Sequence, residues 1–529
     1  MNRLIPLLLS AILAPCSASA AIRLPAIVSD HAVLQAGKPV AVWGWATSGA
    51  RVTVEFIRGG DSAARAAFQA TADSRGKWSG RLPALATGTA GRLVIASNRD
   101  SAVTVSDLLV GEVWLGGGQS NMVYSISGKY GADPTNPAEV AQVARNVATA
   151  RREAANLAEP IRYFEVATRD LVHPDDDVVG RWVEAGPGNV SSFSAVAWNF
   201  AAALQRRLHA PIGLVVSCVG GTPVEYWMSR PAIDATAAGA AVEERYREIV
   251  AYVTAYVEAA TRAWFLANPT PELQMKNRGS MPVPFVPGDF NKVPARFYNG
   301  MIHGLEPYTL RGVIWFQADG NRRRPLDYGE LFQALIRDWR AHWGEQLPFY
   351  FVEMNNMVSD PQARPVEPDS LCLIREQQHA GLEEPGVGMV VSIDLGTKNA
   401  HFPNKKPVGE RLARLALRDC YHLPMGEVDS PIFRGYRIEG SRIRLQFDHA
   451  AGLRVRGRFW TGRFAIRGAS GDWAWADSRI EGSDILVWNH SIPAPAAVRY
   501  AWAPNPLVSV ENGAGLPLSP FRTDTGARE

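Results

Sequence analysis

The segment Gly111-Glu-Val-Trp-Leu-Gly-Gly-Gly-Gln-Ser-Asn-Met122 holds the residue types for nucleophilic chemistry. An apolar run breaks into three glycines, then delivers a serine followed by asparagine, which reads as a strand ending in a tight turn. Glycines there let the backbone approach a ligand, and Ser120 would stand exposed with its own N–H pointing outward. The pattern is not the Gly-x-Ser-x-Gly elbow of the large hydrolase class, because Met122 stands where that motif needs glycine. A serine hydroxyl is a poor nucleophile until a base removes its proton, and histidine titrates near neutrality. The oxyanion that then forms needs donors aimed at it.

Ligands of an open α/β sheet bind beyond the carboxyl ends of its strands, so the residues just after each apolar run matter most. The run Ile212 to Cys218 leads into Val219-Gly-Gly-Thr222, and Val313 to Phe316 leads into Gln317-Ala-Asp-Gly-Asn321. Val387 to Ile393 leads through Asp394 to Asn399-Ala-His401. The expected parts are Ser120 as nucleophile and His401 as base. The Ser120 N–H, a glycine N–H at Gly221 (or Gly220) and the Asn321 amide would be the oxyanion donors. Gln119, Asn121 and Gln317 could bond the sugar or acyl group, or pair the loops with one another. Arg322, first of Arg322-Arg-Arg324, could grip a sugar carboxylate in bidentate fashion, or form ordinary loop ion pairs.

These loops need a scaffold. Residues 21–107 read as an antiparallel β-sandwich of short alternating strands separated by Gly, Ser, Asp and Pro turns. From 108 the runs become continuously apolar, as in Leu108 to Leu115 and Phe349 to Val352, which suits parallel strands buried on both faces. Helical patterns lie between them. Phe193, Val196, Ala197, Phe200 and Leu204 mark one face of a helix capped by Ser191 or Ser192, and Val408, Leu412, Leu415 and Ala416 mark another. Residues 108–425 therefore read as an α/β domain. Cleft-forming insertions are expected at 125–160 and 228–295. The second reads as helical from Ala240 to Leu266, then as a proline-rich loop from Pro269 to Pro287. Alternating strands return over 426–529, a β-rich closing region.

The 529 residues exceed one ordinary core, so about two to four domains are expected. Lys and Arg number 55 against 52 Asp and Glu, a formal +3, which argues against a nucleic-acid surface. Sixteen tryptophans fit sugar-binding clefts and β-rich packing equally well. Arg3, the apolar run Leu4 to Leu13 and Ala18-Ser19-Ala20 read as a secretory signal cleaved after Ala20, too short to span a bilayer. The mature protein is expected to be exported, periplasmic or secreted, without membrane insertion. Cys218, Cys372 and Cys420 then allow at most one disulfide, stand at no metal-ligand spacing, and read as buried free thiols.

Gly118-Gln-Ser-Asn-Met122, Gly220-Gly-Thr-Pro-Val-Glu-Tyr-Trp227 and Ile314-Trp-Phe-Gln-Ala-Asp-Gly-Asn321 together resemble the nucleophile, glycine and tryptophan-tyrosine-glutamine blocks of the sialate O-acetylesterase family, within the SGNH (GDSL-like) hydrolase superfamily. Ser29 to Gln35, Arg375-Glu-Gln377, Val498 to Trp502 and Leu516 to Asp524 resemble its other segments, so the similarity spans essentially the mature chain. The resemblance implies a three-layer α/β/α domain with a parallel sheet. It also implies hydrolysis of acetyl esters on a carbohydrate partner by Ser120 and His401, with no metal or organic cofactor.

Two departures stand out. The family places aspartate two residues before the histidine, where this chain has Asn399, which cannot carry the charge that stabilises an imidazolium. In a serine protease that exchange costs about ten-thousandfold. A backbone carbonyl could accept the His401 proton to give a dyad, or the Asn399 side-chain oxygen could orient the ring. A carboxylate from elsewhere, Asp394 or Asp319, could also reach it. Asp319 itself replaces the usual glutamate, beside Ala318 for glycine. A deacetylase of plant cell-wall glycans such as xyloglucan or xylan is the alternative within the same chemistry. An inactive carbohydrate-binding homologue is the alternative outside it.

Overall fold

The computed structural model describes residues 22–60, 65–282, 293–357, 360–457 and 463–524; the expected export signal and its cleavage point lie outside them. One long strand, Val103–Gly118, takes part in two sheets. Its first half pairs antiparallel with Ala90–Ser97 and is partly exposed, while Val110 to Gly118 is buried throughout. The change from alternating to continuous burial marks the passage from a one-sided sheet to one covered on both faces. The boundary expected at 107/108 thus falls inside a continuous strand.

In the second sheet the order is Val387–Val390, Phe349–Val352, Gly312–Phe316, Val103–Gly118, Ile212–Cys218, Ile161–Glu165, Trp182–Glu184. All neighbours are parallel except the last pair. The chain first builds one side of Val103–Gly118, then crosses to build the other, which places a topological switch beside that strand's carboxyl end. Ile161–Glu165 and Trp182–Glu184 are not anticipated by the sequence pattern. Arg162 interrupts the apolar run, yet it is buried because Asp107 and Glu184 pair with it.

Helices cover both faces. Trp114 meets Phe200 of the helix Ala195–Leu208 edge-on at 5.0 Å between ring centroids, and Lys406–Asp419 packs beside that helix. On the opposite face Trp315 meets Trp339 of the helix Tyr328–Trp343 at 5.6 Å. Emptying such an aromatic site typically costs about 3–5 kcal/mol. The cap of Ala195–Leu208 is Ser194, not Ser191 or Ser192, because only the Ser194 hydroxyl reaches the Ala197 N–H. The long helix Ala237–Ala267 fills the second insertion. A further short helix, Pro271–Lys276, capped by Thr270, stands in the segment expected to be loop.

Before the long strand, Arg51–Arg58 pairs with Arg65–Thr71 and Ala90–Ser97, and Val40–Trp45 pairs with Lys77–Leu82. The closing region forms two four-stranded antiparallel sheets and a small two-stranded one. The fully buried Arg375 ties that region to the sheet: its guanidinium donates to the carbonyls of Met354, Asn355, Ala503 and Pro504. Among the described residues Cys218, Cys372 and Cys420 form no disulfide. Among the described residues no helix is long and apolar enough to cross a membrane.

Candidate active site

Three strands finish level. Gly118 lies opposite Cys218 on one side and Phe316 on the other, so the loops that begin at 119, 219 and 317 leave the sheet side by side. Gly118 has φ of +134°, and a Cβ there would meet the Phe316 carbonyl oxygen at 2.3 Å, so glycine alone fits. The Gln119 N–H donates to the Phe316 carbonyl at 3.0 Å, and the Gln119 side-chain oxygen accepts from the Gly320 N–H at 3.0 Å. The turn is therefore pinned before it delivers Ser120, the first residue of the one-turn helix Ser120–Val123.

Ser120, Gly220, Gly221, Asp319 and His401 line one cleft of about 1230 Å³. A Cβ on Gly220 would lie 3.6 Å from that of Ser120, so the glycine block abuts the serine. Among the described residues the N–H groups of Ser120, Gly220 and Gly221 have no acceptor, which leaves them to bond a ligand. Tyr130 stands exposed on the cleft wall and offers a ring face of the kind that stacks on sugars. A second cleft of about 1180 Å³ shares Val219, Gly220, Gly221 and Asp319 with the first, so the two adjoin at the glycine block. Arg322 lines this second cleft, held by Asp369 and Ser370.

His401 is half-buried, and a Cβ on Gly131 would lie 2.8 Å from its Nδ1, so that backbone packs against the ring. Among the described residues neither ring nitrogen has a hydrogen-bond partner, Ser120 included. Burial, then the charge of Lys405, moves its pKa below the ordinary histidine value.

Several expected roles need correction. The Asn399 oxygen does not orient the ring; it accepts the main-chain N–H of His401 at 2.9 Å, while its amide donates to the Gly131 carbonyl and to Glu139. Asp394 does not support the ring either. Its buried carboxylate is clamped by Arg411 at 2.8 Å and Arg456 at 3.0 Å. Burial raises its pKa, but those two arginines outweigh burial and leave it lowered. Asp319 stays in the cleft without bonding the imidazole, and burial pushes its carboxyl up. The Asn321 amide is withdrawn from the oxyanion site. It is 1% exposed, its nitrogen donates to Glu225 at 2.7 Å, and its oxygen accepts from Val224 N–H and Gln317. Gln317, fully buried, donates to the Thr222 carbonyl and Asn321, so it joins the loops and does not face substrate.

Glu139, Gly131, Tyr130 and Lys405 are the residues sequence reasoning missed. Glu139 reads as a charge in the first turn of the helix Pro137–Ala155, and Lys405 reads as surface charge in Asn404-Lys-Lys406. Only the packing of distant segments reveals either.

No protein-family model matches the chain. Over 434 residues it is 28% identical to the sialate O-acetylesterase of Mus musculus, which spans 74% of this chain and 71% of that protein. The sialate O-acetylesterase of Homo sapiens is 27% identical over 420 residues, 74% of this chain and 68% of that one. The crystal structure of a carbohydrate acetylesterase from Xanthomonas citri superposes with a TM-score of 0.75 at 31% identity, covering 96% of this chain and 100% of its own.

Proposed function

This chain belongs to the sialate O-acetylesterase family and is a carbohydrate O-acetylesterase, and from there we propose that it is an exported serine esterase working through an acetyl-serine intermediate. Ser120 Oγ attacks the ester carbonyl carbon while His401 takes its proton. The oxyanion is held by the N–H groups of Ser120 and of Gly221 or Gly220. The bond to the sugar oxygen then breaks as His401 returns the proton to it. Water, deprotonated by His401, attacks the acetyl carbonyl of the acetyl-serine; the bond to Ser120 Oγ breaks as His401 returns the proton to that oxygen, and acetate leaves.

The observation that carries this reading is one cleft in which, among the described residues, the serine hydroxyl and the imidazole are unbonded and three backbone N–H groups are unspent. The absence of any carboxylate bonded to the ring among the described residues favours a Ser–His dyad over a triad. The Arg3 to Ala20 pattern supports export. The relatives' names favour an acetylated sialic acid as substrate. A second cleft adjoining the first, the two roomier together than a single sugar needs, favours the second reading, an acetylated cell-wall glycan such as xyloglucan or xylan.

Acetate release from a panel of acetylated sialic acids and cell-wall oligosaccharides separates those substrates. A chromogenic acetyl ester assayed with wild type and Ser120→Ala tests the chemistry. Folded wild type without activity above that variant would leave a carbohydrate-binding protein in place of the esterase.

A further inference from the structure

Lys405 comes four residues after His401 and is 1% exposed, yet among the described residues no carboxylate pairs with it. Its Nζ donates to the Asn121 side-chain oxygen and sits 3.4 Å from the Phe402 ring centroid, 5.2 Å from that of Tyr124 and 5.6 Å from that of Phe316. Ring faces and an amide oxygen all present negative charge density, and nothing around Nζ donates to it. Burial pushes the pKa of Lys405 well below the ordinary lysine range, and this lining works against that shift because it suits an ammonium. Asn121 is the neighbour of Ser120, and its amide nitrogen also donates to the Ala400 carbonyl at 3.3 Å. One side chain beside the nucleophile therefore grips the histidine loop both before and after His401.

We propose that Lys405 is a positioning residue for ester hydrolysis: through Asn121, its caged ammonium locks the turn that presents Ser120 to the loop that presents His401. The inference rests on the Ser120–His401 reading above. Burial, and then the positive charge of Lys405 while it is protonated, disfavour the imidazolium of His401, which keeps it in its base form to lower pH. Protonation of His401 removes the base, so activity should fall with decreasing pH only below the range of an ordinary histidine. The other charged groups facing this arrangement are Glu139, which bonds Asn399, and, behind Lys405, Arg145 and the pair Lys406–Glu153. Glu165, Arg181 and Asp319 face it from the opposite walls of the cleft. Substituting Lys405 leaves all of these in place.

The test uses the full chain and a chromogenic acetyl ester, with circular dichroism to verify folding. Lys405→Met should lower kcat by about ten- to a hundredfold with little change in KM, the scale expected when reacting groups are slightly misplaced. It should also move the acid limb of kcat/KM to higher pH. Lys405→Arg, which keeps the charge, should leave that limb where wild type has it. Asn121→Ala should lower kcat without moving the limb, because the charge remains. A folded Lys405→Met with wild-type kcat and acid limb overturns the proposal. Should Lys405→Met not fold, wild-type kcat in Asn121→Ala overturns it instead. Wild type without esterase activity would sink the functional reading, an outcome distinct from unperturbed variants of an active enzyme.

Discussion

The serine wall and the histidine wall of the cleft are held by different forces. Ser120 comes just after a strand whose end is level with both neighbours. Its turn is fixed chiefly by main-chain bonds and by a glycine no other residue can replace, with the Gln119 side chain adding one bond from the Gly320 N–H. His401 lies eight residues beyond Ile393 on a loop without regular structure, held by side chains: Asn399 to Gly131 and Glu139, Asn121 to Ala400, Lys405 to Asn121. A wall set by sheet register tolerates most side-chain changes around it. One set by a few polar side chains does not, and single substitutions there should act on geometry as well as on chemistry.

The largest effect should come from the reacting groups. Ser120→Ala or His401→Ala is expected to lower kcat by about a millionfold, measured on the chromogenic ester with protein of native circular dichroism. Comparable activity in either variant would remove the distinction between the walls by removing the pair itself.

Next comes the residue that marks the chain's departure from its family. Asn399→Asp recreates the family's residue, yet it is expected to harm the enzyme. It deletes the donor to Gly131 and sets a second carboxylate where the amide now donates to Glu139 at 3.0 Å. A loss of about a hundredfold in kcat is expected, with Asn399→Ala losing less and both losing less than His401→Ala. Adding Glu139→Gln should recover most of the Asn399→Asp loss, and a double variant no better than the single would show that Glu139 does not shape this wall.

Asp394 tests whether the histidine wall can be loosened without touching the cleft. Its lowered pKa means that its stabilising contribution is full above the unfolded-state value and is lost as pH falls through the folded one. Asp394→Asn should cost about 3 kcal/mol, because Arg411 loses a buried partner. Thermal unfolding against pH measures this: the gap between variant and wild type should close as the pH is lowered. A gap that stays constant would contradict the assignment.

The smallest effect belongs to the exposed ring. Tyr130→Ala is expected to raise KM for a glycan substrate by about two- to tenfold, with kcat and the small chromogenic ester unaffected, since an aromatic contact is worth about 0.5–1.5 kcal/mol. Equal effects on both substrates would make Tyr130 part of the histidine wall, through its neighbour Gly131.

The same division decides what could be read in advance. The runs at Ile212–Cys218 and Phe349–Val352 are strands to the residue, because buried parallel strands are written as unbroken apolar sequence. Ile161–Glu165 hides because Arg162 is neutralised by Asp107, fifty-five residues earlier. Ser120 is legible for a related reason: strand, glycines and serine are contiguous. The use of Asn321 is not, since which atom an amide bonds is decided by Glu225, Val224 and Gln317 together. Sequence exposes the lack of a carboxylate at 399. It says nothing of Glu139, which reaches that stretch from 260 residues away.

The strand Val103–Gly118 belongs to two sheets at once, and that has a mechanical consequence. Pulling or melting the amino-terminal sheet strips hydrogen bonds from the same peptide backbone that leads into Ser120, so the two layers have no seam at which to part. Calorimetry should find them melting as a single cooperative unit, and a chain trimmed to begin at 108 should lose esterase activity although every cleft residue remains.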